Sequence, residues 1–252
     1  MSGCGDGVIA MTFHWPQITW IVITCLLLQA RVVGIIVDRK IAEFWFQLIG
    51  ALFMAWLLWC GGFFSQAQAA EQPPILSLKY RSDVIRAARE DWGLDAPVAD
   101  FAAQLHQESG WNPMARSPAG AQGMAQFMPA TADWISGAMP HLRDNQPYNP
   151  AWSIRALVSY DRWLWQRIQA ADECERMAMV LSAYNGGLGW LNRDKKLAEQ
   201  VGLNPWVWFG HVESRNAGRS LRNWKENRNY PKRILLILAP RYRSWGGASC
   251  VG

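Results

Sequence analysis

The sequence predicts a mainly α-helical domain preceded by one or two N-terminal transmembrane helices. Two apolar segments open the chain, and the second contains 21 consecutive residues without a charge. After them, segments of helix length are separated by Pro and Gly residues, and no strand-like alternation extends beyond a few residues. A chain of 252 residues is long enough for one domain of good size and an appendage.

The apolar segments predict how the chain meets a membrane. The first runs through residues 15–37 with Arg31 inside it, and the second, residues 44–64, is long enough to span a bilayer. The basic cluster at residues 38–40 predicts a cytoplasmic location for that end, so the rest of the chain would be carried across the inner membrane. Residues 67–69, Ala-Gln-Ala, resemble a signal-peptidase site. The second span is therefore either an anchor, which its length favours, or a cleaved signal.

The remaining chain divides by composition. We expect membrane segments in residues 1–70, a Pro-containing linker in 71–78, a helical domain in 79–245 and a tail in 246–252. Helix signals run through residues 82–92, 97–109, 121–134, 150–170, 172–185, 189–201 and 224–238.

Each helix rests on a local pattern. In the segment 97–109, Val98, Phe101, Ala102 and Leu105 have the i, i+3, i+4, i+7 spacing of one buried stripe. Other helix starts are marked by a cap residue: Asn149 precedes Pro150, which suits a first helical turn, and Asp172 precedes the next segment.

Charge and cysteine usage leave two questions open. The net charge is +5, and residues 213–243 hold nine basic and two acidic residues, which suits either an anionic partner or a solvated helix face. No nucleic-acid module accompanies the cluster, so we expect no nucleic-acid partner. Cys174 and Cys250 could form a disulfide in an exported domain or remain two thiols. Without a CxxC motif or a His/Cys cluster, the sequence indicates neither a metal nor a cofactor.

Glu108 is the first candidate for chemistry. It follows Phe101 by seven residues and Leu105 by three, so it extends the apolar stripe at the end of its helix. Burial of a carboxyl favours its neutral form, and a carboxylic acid that stays protonated near neutral pH can act as a general acid. The alternative is a helix-terminal Glu that points into water.

The residues around Glu108 belong to four blocks in a fixed order. They are Glu108-Ser109 with Asn112-Pro113 and Ala115-Arg116-Ser117; Gly123-Met124-Ala125-Gln126 with Met128-Pro129-Ala130-Thr131; Ala183-Tyr184-Asn185-Gly186-Gly187; and Glu226-Asn227-Arg228-Asn229-Tyr230. Together they resemble the catalytic domain of lytic transglycosylases of the soluble (SLT) type, relatives of goose-type lysozyme. The resemblance implies a lysozyme-like α-helical fold. Met124-Ala125 replaces the Leu-Met pair and Gly187-Leu188 the Gly-Pro pair that the family often has.

The resemblance also implies roles for single residues. Glu108 would be the catalytic acid and base, and the sugar-binding cleft would be lined by Ser117, Gln126, Met128, Tyr184 and Glu226. Each lining residue has a structural alternative. Met128 suits a core, Tyr184 the end of a helix before a glycine turn, and Glu226 a surface ion pair with Arg222 or Arg233.

The family implies a peptidoglycan lytic transglycosylase that cleaves the MurNAc-GlcNAc β-1,4 bond and leaves 1,6-anhydroMurNAc ends. No Asp follows Glu108 within the next twenty residues, which favours chemistry with one enzyme carboxylate; Glu226 and Asp133 are the candidates for a second. A lysozyme-type hydrolase and a weakly active wall-binding domain remain alternatives. The expected partners of the protein are glycan strands in the periplasm and the inner membrane, which it would contact through the N-terminal helices. The machinery of a phage, or of a conjugation or secretion system, is a further expected partner.

Overall fold

The computed structural model describes residues 45, 47–53, 56 and 72–250. The chain divides into two units, residues 1–67 and 68–252. The described residues of the first unit are helical. The first predicted span lies outside the described residues and the second is described only in part; within the described ranges no helix is long and apolar enough to cross a bilayer.

The second unit is mainly α-helical, as predicted. Its α-helices are α1 (Ile75–Leu78), α2 (Arg81–Trp92), α3 (Val98–Ser109), α4 (Pro129–Ala138), α5 (Pro150–Arg167), α6 (Glu173–Gly186), α7 (Leu188–Gln200), α8 (Leu221–Lys232) and α9 (Ala239–Tyr242). Short 3-10 turns occupy Pro140–Leu142, Val212–Ser214 and Arg243–Trp245. Between α8 and α9, Arg233–Leu238 forms a π-helix.

Helix α3 is the centre of the fold. The helices α2 and α5, the π-helix and α9 all pack around it. Every residue from 98 to 105 is buried. The four residues of the predicted stripe are buried as expected, and the other faces of this part of α3 are buried as well. Only the last turn of α3 comes partly to the surface. The fold therefore presents the end of α3, with Glu108, at the edge of the core.

The predicted helix over residues 121–134 is wrong in its first half. Residues 121–128 form turns with two isolated bridges, which pair Gln122 with Arg116 and with Phe127. The backbone is left-handed at Gly123 (φ +74) and Gln126 (φ +51), and this conformation stops a helix. The helix begins only at Pro129, where proline suits the first turn.

The predicted caps are confirmed. The Asn149 side chain accepts hydrogen bonds from the backbone N–H groups of Ala151 and Trp152, and the Asp172 side chain accepts one from Glu175. The last predicted helix begins three residues earlier than expected, at Leu221, because the Ser220 hydroxyl caps it by accepting from the N–H of Asn223.

The segment after residue 245 lies against the first turn of α3. The carbonyl of Gly247 accepts from the N–H of Ala99 at 2.9 Å, and the N–H of Ser249 donates to Asp100 Oδ2 at 2.8 Å. Cys174 and Cys250 form a disulfide across a sequence separation of 76. The segment thus joins the start of α3 to the start of α6.

Gly123 should tolerate no side chain. A Cβ there would lie 1.7 Å from the carbonyl oxygen of Pro147, and the residue also has a positive φ. We expect Gly123→Ala to lower the free energy of unfolding by about 3 kcal/mol, measured by urea denaturation. Gly137→Ala is the matched control, since it lies in α4 with nothing near its Cβ position. It should stabilise the domain by up to about 1 kcal/mol. Equal effects at both positions would contradict the expectation.

Candidate active site

A cavity of about 410 Å³ opens where the end of α3 meets α8. Its lining includes Glu108, Asn185, Glu226, Asn229, Tyr230 and Arg233. These residues come from α3, α6, α8 and the π-helix, which all meet at this point. The cavity therefore brings together the first, third and fourth of the sequence blocks.

Local geometry sets the position of Glu108. Helix α3 ends at Gly110, whose φ of +60 turns the chain away and whose N–H bonds the carbonyl of His106. The next residue, Trp111, is fully buried, and its indole N–H donates to the hydroxyl of Tyr242 at 2.8 Å. The chain beyond Glu108 is thus fixed at once to the core. Glu108 stays within the last turn of a rigid helix.

The environment of Glu108 favours its protonated form. The pKa of Glu108 is raised from 4.5 to about 8, mainly by burial and to a smaller extent by the charge of the nearby Glu226. One interaction acts in the opposite direction, because the hydroxyl of Tyr230 donates to Glu108 Oε1 and stabilises the carboxylate. At neutral pH the side chain is therefore an acid that can lend a proton.

Tyr184 lies close to Glu108, whose charge raises the pKa of the phenol, although burial is the larger cause. The hydroxyl of Tyr184 donates to the carbonyl of Ala125 at 2.7 Å. This bond ties the end of α6 to the loop before α4. Tyr230, not Tyr184, is the phenol that bonds the carboxyl of Glu108.

The loop before α4 contains the other predicted sugar contacts. The amide of Gln126 donates to the carbonyls of Ala115 (3.2 Å) and Gly123 (2.8 Å), so its N–H groups brace the loop. The hydroxyl of Ser117 accepts from the N–H of Ala121 at 3.0 Å. Met128 is 44% exposed at the start of α4, so it is not a core residue. None of the three lines the cavity beside Glu108.

The two candidates for a second carboxylate differ in place. Glu226 is exposed and lines the same cavity as Glu108. Within the described ranges it forms no ion pair with Arg222 or Arg233. Asp133 accepts a hydrogen bond from Asn145 at 2.6 Å and does not line the cavity. Only Glu226 is placed to act beside Glu108.

Much of the chain that forms this site matches a known protein family. Residues 83–207 match the family described as Transglycosylase SLT domain. The chain carries a transglycosylase SLT domain. The matched residues include Glu108, the loop before α4 and the Tyr184 block, whereas Glu226 and Tyr230 lie beyond the matched stretch.

Curated proteins that are similar in sequence to this chain are named lytic murein transglycosylases. The chain is 36% identical over 132 residues to the membrane-bound lytic murein transglycosylase F of Shewanella loihica, and 36% identical over 132 residues to that of Pasteurella multocida. These stretches cover 52% of this chain and 25% and 23% of the relatives, so the chain spans about a quarter of their length.

A solved structure shows a weaker likeness. The complex of the 70-kDa soluble lytic transglycosylase with bulgecin A has a TM-score of 0.46 and 23% identity, covering 70% of this chain and 26% of that one. A likeness of this size supports no conclusion about the site.

Two buried polar residues behind Glu108 escaped the sequence analysis. Gln104 and Asp161 are fully buried, and Gln104 precedes Glu108 by one turn of α3. Burial raises the pKa of Asp161 well above its ordinary range, and the charge of Glu108 raises it further, whereas the adjacent Gln104 lowers it. Burial therefore disfavours the ionised form of Asp161, and Asp161 does not line the cavity of Glu108. Its place in α5, far along the chain, gave no local signal.

The basic cluster of residues 213–243 does not form one solvated face. Arg219 and Arg228 are buried against Asp194, and Lys232 pairs with Glu213 at 3.1 Å. Within the part of the chain that the structure describes, no group of three His, Cys, Asp or Glu residues is placed to hold a metal ion.

Proposed function

We propose that the SLT domain is a peptidoglycan lytic transglycosylase that cleaves the MurNAc-GlcNAc β-1,4 bond without water. The observation that carries this proposal is Glu108 at the end of α3, which accepts a hydrogen bond from Tyr230 beside a cavity of about 410 Å³. Burial, which raises the pKa of Glu108 and favours its protonated form, supports the same role. The relatives' names, which describe lytic murein transglycosylases, support the choice of substrate.

Bond cleavage begins with Glu108 as the acid. Its carboxyl proton passes to the glycosidic oxygen while the bond from MurNAc C1 to that oxygen breaks. The GlcNAc side leaves as an alcohol. The acetamide oxygen of the same MurNAc stabilises the cationic C1, in place of an enzyme nucleophile. Tyr230 stabilises the carboxylate that Glu108 has become.

Ring closure returns the proton. The carboxylate of Glu108 takes the proton from the C6 hydroxyl of the MurNAc, and the oxygen attacks C1. The product is a 1,6-anhydro ring, Glu108 is again protonated, and no water is consumed. A pKa near 8 suits both halves, because one group must give and then accept a proton near neutral pH.

Mass spectrometry of digested peptidoglycan tests this mechanism. We expect muropeptides that end in 1,6-anhydroMurNAc. Products heavier by one water, with a reducing MurNAc end, would contradict the proposal and show that the enzyme is a hydrolase. That second candidate has one observation in its favour, since Glu226 lies in the cavity of Glu108 and could activate a water. A wall-binding domain without activity would release no muropeptide.

The binding roles of the remaining site residues belong to the same proposal. Met128 offers an exposed apolar surface to a sugar face, and Gln126 and Ser117 shape the loop beside it. Tyr184 holds that loop against α6 through Ala125. Glu226 faces the cleft from α8.

Tyr230→Phe should change the pKa of Glu108 while keeping its carboxyl group in place. Removing the hydroxyl takes away the one contact that lowers the pKa of Glu108, so this pKa rises above about 8. Because Glu108 must be protonated to act, the alkaline limb of the kcat/KM profile should move to higher pH. The rate should fall roughly 10- to 100-fold, as expected for a lost hydrogen bond to a charged group. Cleavage of purified sacculi at pH 5–10 measures both effects.

Tyr242→Phe is the control for this variant. Its hydroxyl bonds Trp111 and His106 away from the cavity. The change should lower the unfolding temperature and leave the alkaline limb in place. An unchanged limb in Tyr230→Phe, or the same shift in both variants, would remove Tyr230 from the mechanism.

We also propose that the N-terminal segments anchor the enzyme in the inner membrane with the SLT domain in the periplasm. The hydrophobic residues 44–64 and the relatives' names as membrane-bound enzymes support this. A new N-terminus near Ala70, found by N-terminal sequencing, would instead show release by cleavage. Neighbouring genes decide between phage and conjugation or secretion partners.

A further inference from the structure

Two fully buried polar side chains lie behind Glu108 and have no part in the mechanism described above. Gln104 is one turn before Glu108 on α3, and Asp161 lies on α5. Both side-chain oxygens of Asp161 and both polar atoms of the Gln104 amide have no hydrogen-bond partner within the described residues. Such atoms are rare in protein interiors because each costs free energy, and function is one reason for which they persist.

Helix geometry places Gln104 beside the carboxyl of Glu108. Side chains four residues apart share a helix face, and each leans towards the N-terminus, so Glu108 extends over the turn that holds Gln104. Helix α5 packs against α3, and the charge of Glu108 acts on the carboxyl of Asp161. The phenols of Tyr184 and Tyr230 are affected by both of these carboxyls. Glu108, Gln104 and Asp161 therefore belong to one cluster.

The surroundings of Asp161 oppose a charge on its carboxyl. Its pKa is raised well above the ordinary range, mainly by burial and then by the charges of Glu108 and Asp100 on α3. Within the described residues it forms no ion pair. The other titratable groups near it are the phenols of Tyr160, Tyr184 and Tyr230. These neighbours favour the protonated carboxyl, which has an O–H to donate.

A protonated carboxyl and a primary amide are complementary partners. The O–H of the acid can donate to the amide oxygen while the amide N–H donates to the carbonyl oxygen of the acid. Gln104 lies close enough to Asp161 to stabilise its charged form, which opposes the effect of burial on the pKa, although no hydrogen bond of ordinary geometry joins the two. The terminal groups of Asp and Gln turn about broad torsions, so pairing needs no movement of the backbone.

We propose that Asp161 is a positioning residue for the cleavage reaction: its carboxyl group pairs with the Gln104 amide, and the pair forms a polar wall behind the carboxyl of Glu108. The proposal rests on the proposed function, in which Glu108 becomes a carboxylate and then recovers its proton. The dipoles of an uncharged pair stabilise that carboxylate, whereas a charged Asp161 would repel it. Neither member of the pair lines the cavity, so neither contacts the sugar.

The combined change Gln104→Leu and Asp161→Ala, made in the whole chain, removes this wall. The two new side chains favour helices, keep about the same total volume and remove all four unpaired atoms, so the unfolding temperature should not fall. The pKa of Glu108 should rise, which moves the alkaline limb of the kcat profile about one pH unit higher. A roughly tenfold lower kcat with KM changed less than about twofold should accompany the shift. Cleavage of soluble glycan strands at pH 5–10 measures these values.

Asp161→Asn is the conservative variant, because an amide keeps the shape and a donor but cannot carry a charge. It should keep kcat within about threefold and leave the alkaline limb in place. An ionised Asp161 would give another result, since loss of its charge lowers the pKa of Glu108 and moves the limb to lower pH. Asp100→Asn is the matched control: Asp100 is also buried on α3, with a pKa raised to about 6, but it bonds Ser249 at the start of the helix. It should not move the limb.

Infrared difference spectroscopy tests the state of Asp161 without substrate. The spectrum of the wild type minus that of Asp161→Asn at pH 7 should show the carbonyl band of a protonated carboxyl. A carboxylate band in its place would overturn the inference, because a charged Asp161 repels the carboxylate of Glu108.

Three kinetic results would also overturn the inference: an alkaline limb that stays in place in the apolar double variant, a limb that moves in Asp161→Asn, or the same shift in Asp100→Asn. A lower unfolding temperature and a lower kcat with an unmoved limb would make the pair structural only. Failure of the proposed function is a different result. It would be hydrolysis products, or none, from the wild-type chain, whatever the infrared spectra show.

Discussion

Glu108→Gln should abolish peptidoglycan cleavage, with a fall in kcat/KM of about 10⁴-fold. Gln has the shape of Glu, so it still accepts the hydrogen bond from Tyr230, but it has no proton to give to the glycosidic oxygen. Release of soluble muropeptides from purified sacculi measures the loss. Asp133→Asn is a matched control, because it removes a carboxylate that lies outside the cavity, and it should keep most of the activity.

The same variant makes a prediction for stability. The pKa of Glu108 is about 8 in the folded domain and near 4.5 in an unfolded chain, so the folded state binds the extra proton between these values. Wild-type stability is therefore lost as the pH rises from about 4.5 to 8, and Gln does not share this loss. The unfolding temperature of Glu108→Gln should exceed that of the wild type increasingly across this window. Activity in the Gln variant would contradict this account of Glu108. So would a difference in unfolding temperature between the variant and the wild type that shrinks as the pH rises.

Asp194→Asn should be the most destabilising of these changes. Asp194 is fully buried, and its Oδ2 is shared by Arg219 and Arg228, while its Oδ1 accepts from the N–H of Ala217. Removing the charge leaves two buried guanidinium groups without a counter-ion, at a cost of about 3–5 kcal/mol. For a domain of this size the unfolding temperature should fall by roughly 10 °C. Calorimetry or urea denaturation measures the change.

Lys232→Gln provides the comparison with an open ion pair. Lys232 bonds Glu213 at 3.1 Å with 47% of its side chain exposed, so its loss should cost about 0–1 kcal/mol. If Asp194→Asn and Lys232→Gln cost the same, the buried arginines do not depend on Asp194. Because α8 carries both Arg228 and Tyr230, loss of the Asp194 contact should also loosen the site.

Local patterns predicted much of the helical framework. The stripe in α3, the caps at Asn149 and Asp172, and the partly buried end of α3 all depend on spacings within a few residues. Such spacings determine helix faces directly. The burial that makes Glu108 an acid follows from its place on that stripe.

Contacts between distant residues were not predictable in this way. Tyr230 bonds Glu108 across 122 residues, and Asp194 meets Arg228 across 34. Both tyrosine and arginine occur in the sequence blocks or the basic cluster, but no local period says which partner each will find. The helix prediction for the loop before α4 was wrong for another reason. The left-handed turn at Gln126 is stabilised by contacts of its side chain to Ala115 and Gly123, and only the fold supplies these contacts.

The bond between Cys174 and Cys250 makes the domain's stability depend on the compartment in which it folds. A loop of 76 residues, when closed, removes about 4 kcal/mol of chain entropy from the unfolded ensemble. The disulfide gives this stabilisation only where thiols are oxidised. In a reducing cytosol, glutathione keeps the two cysteines as thiols. The closed loop includes Tyr184, Glu226 and Tyr230. The domain would thus gain its full resistance to unfolding only in an oxidising compartment, such as the periplasm that we propose for it.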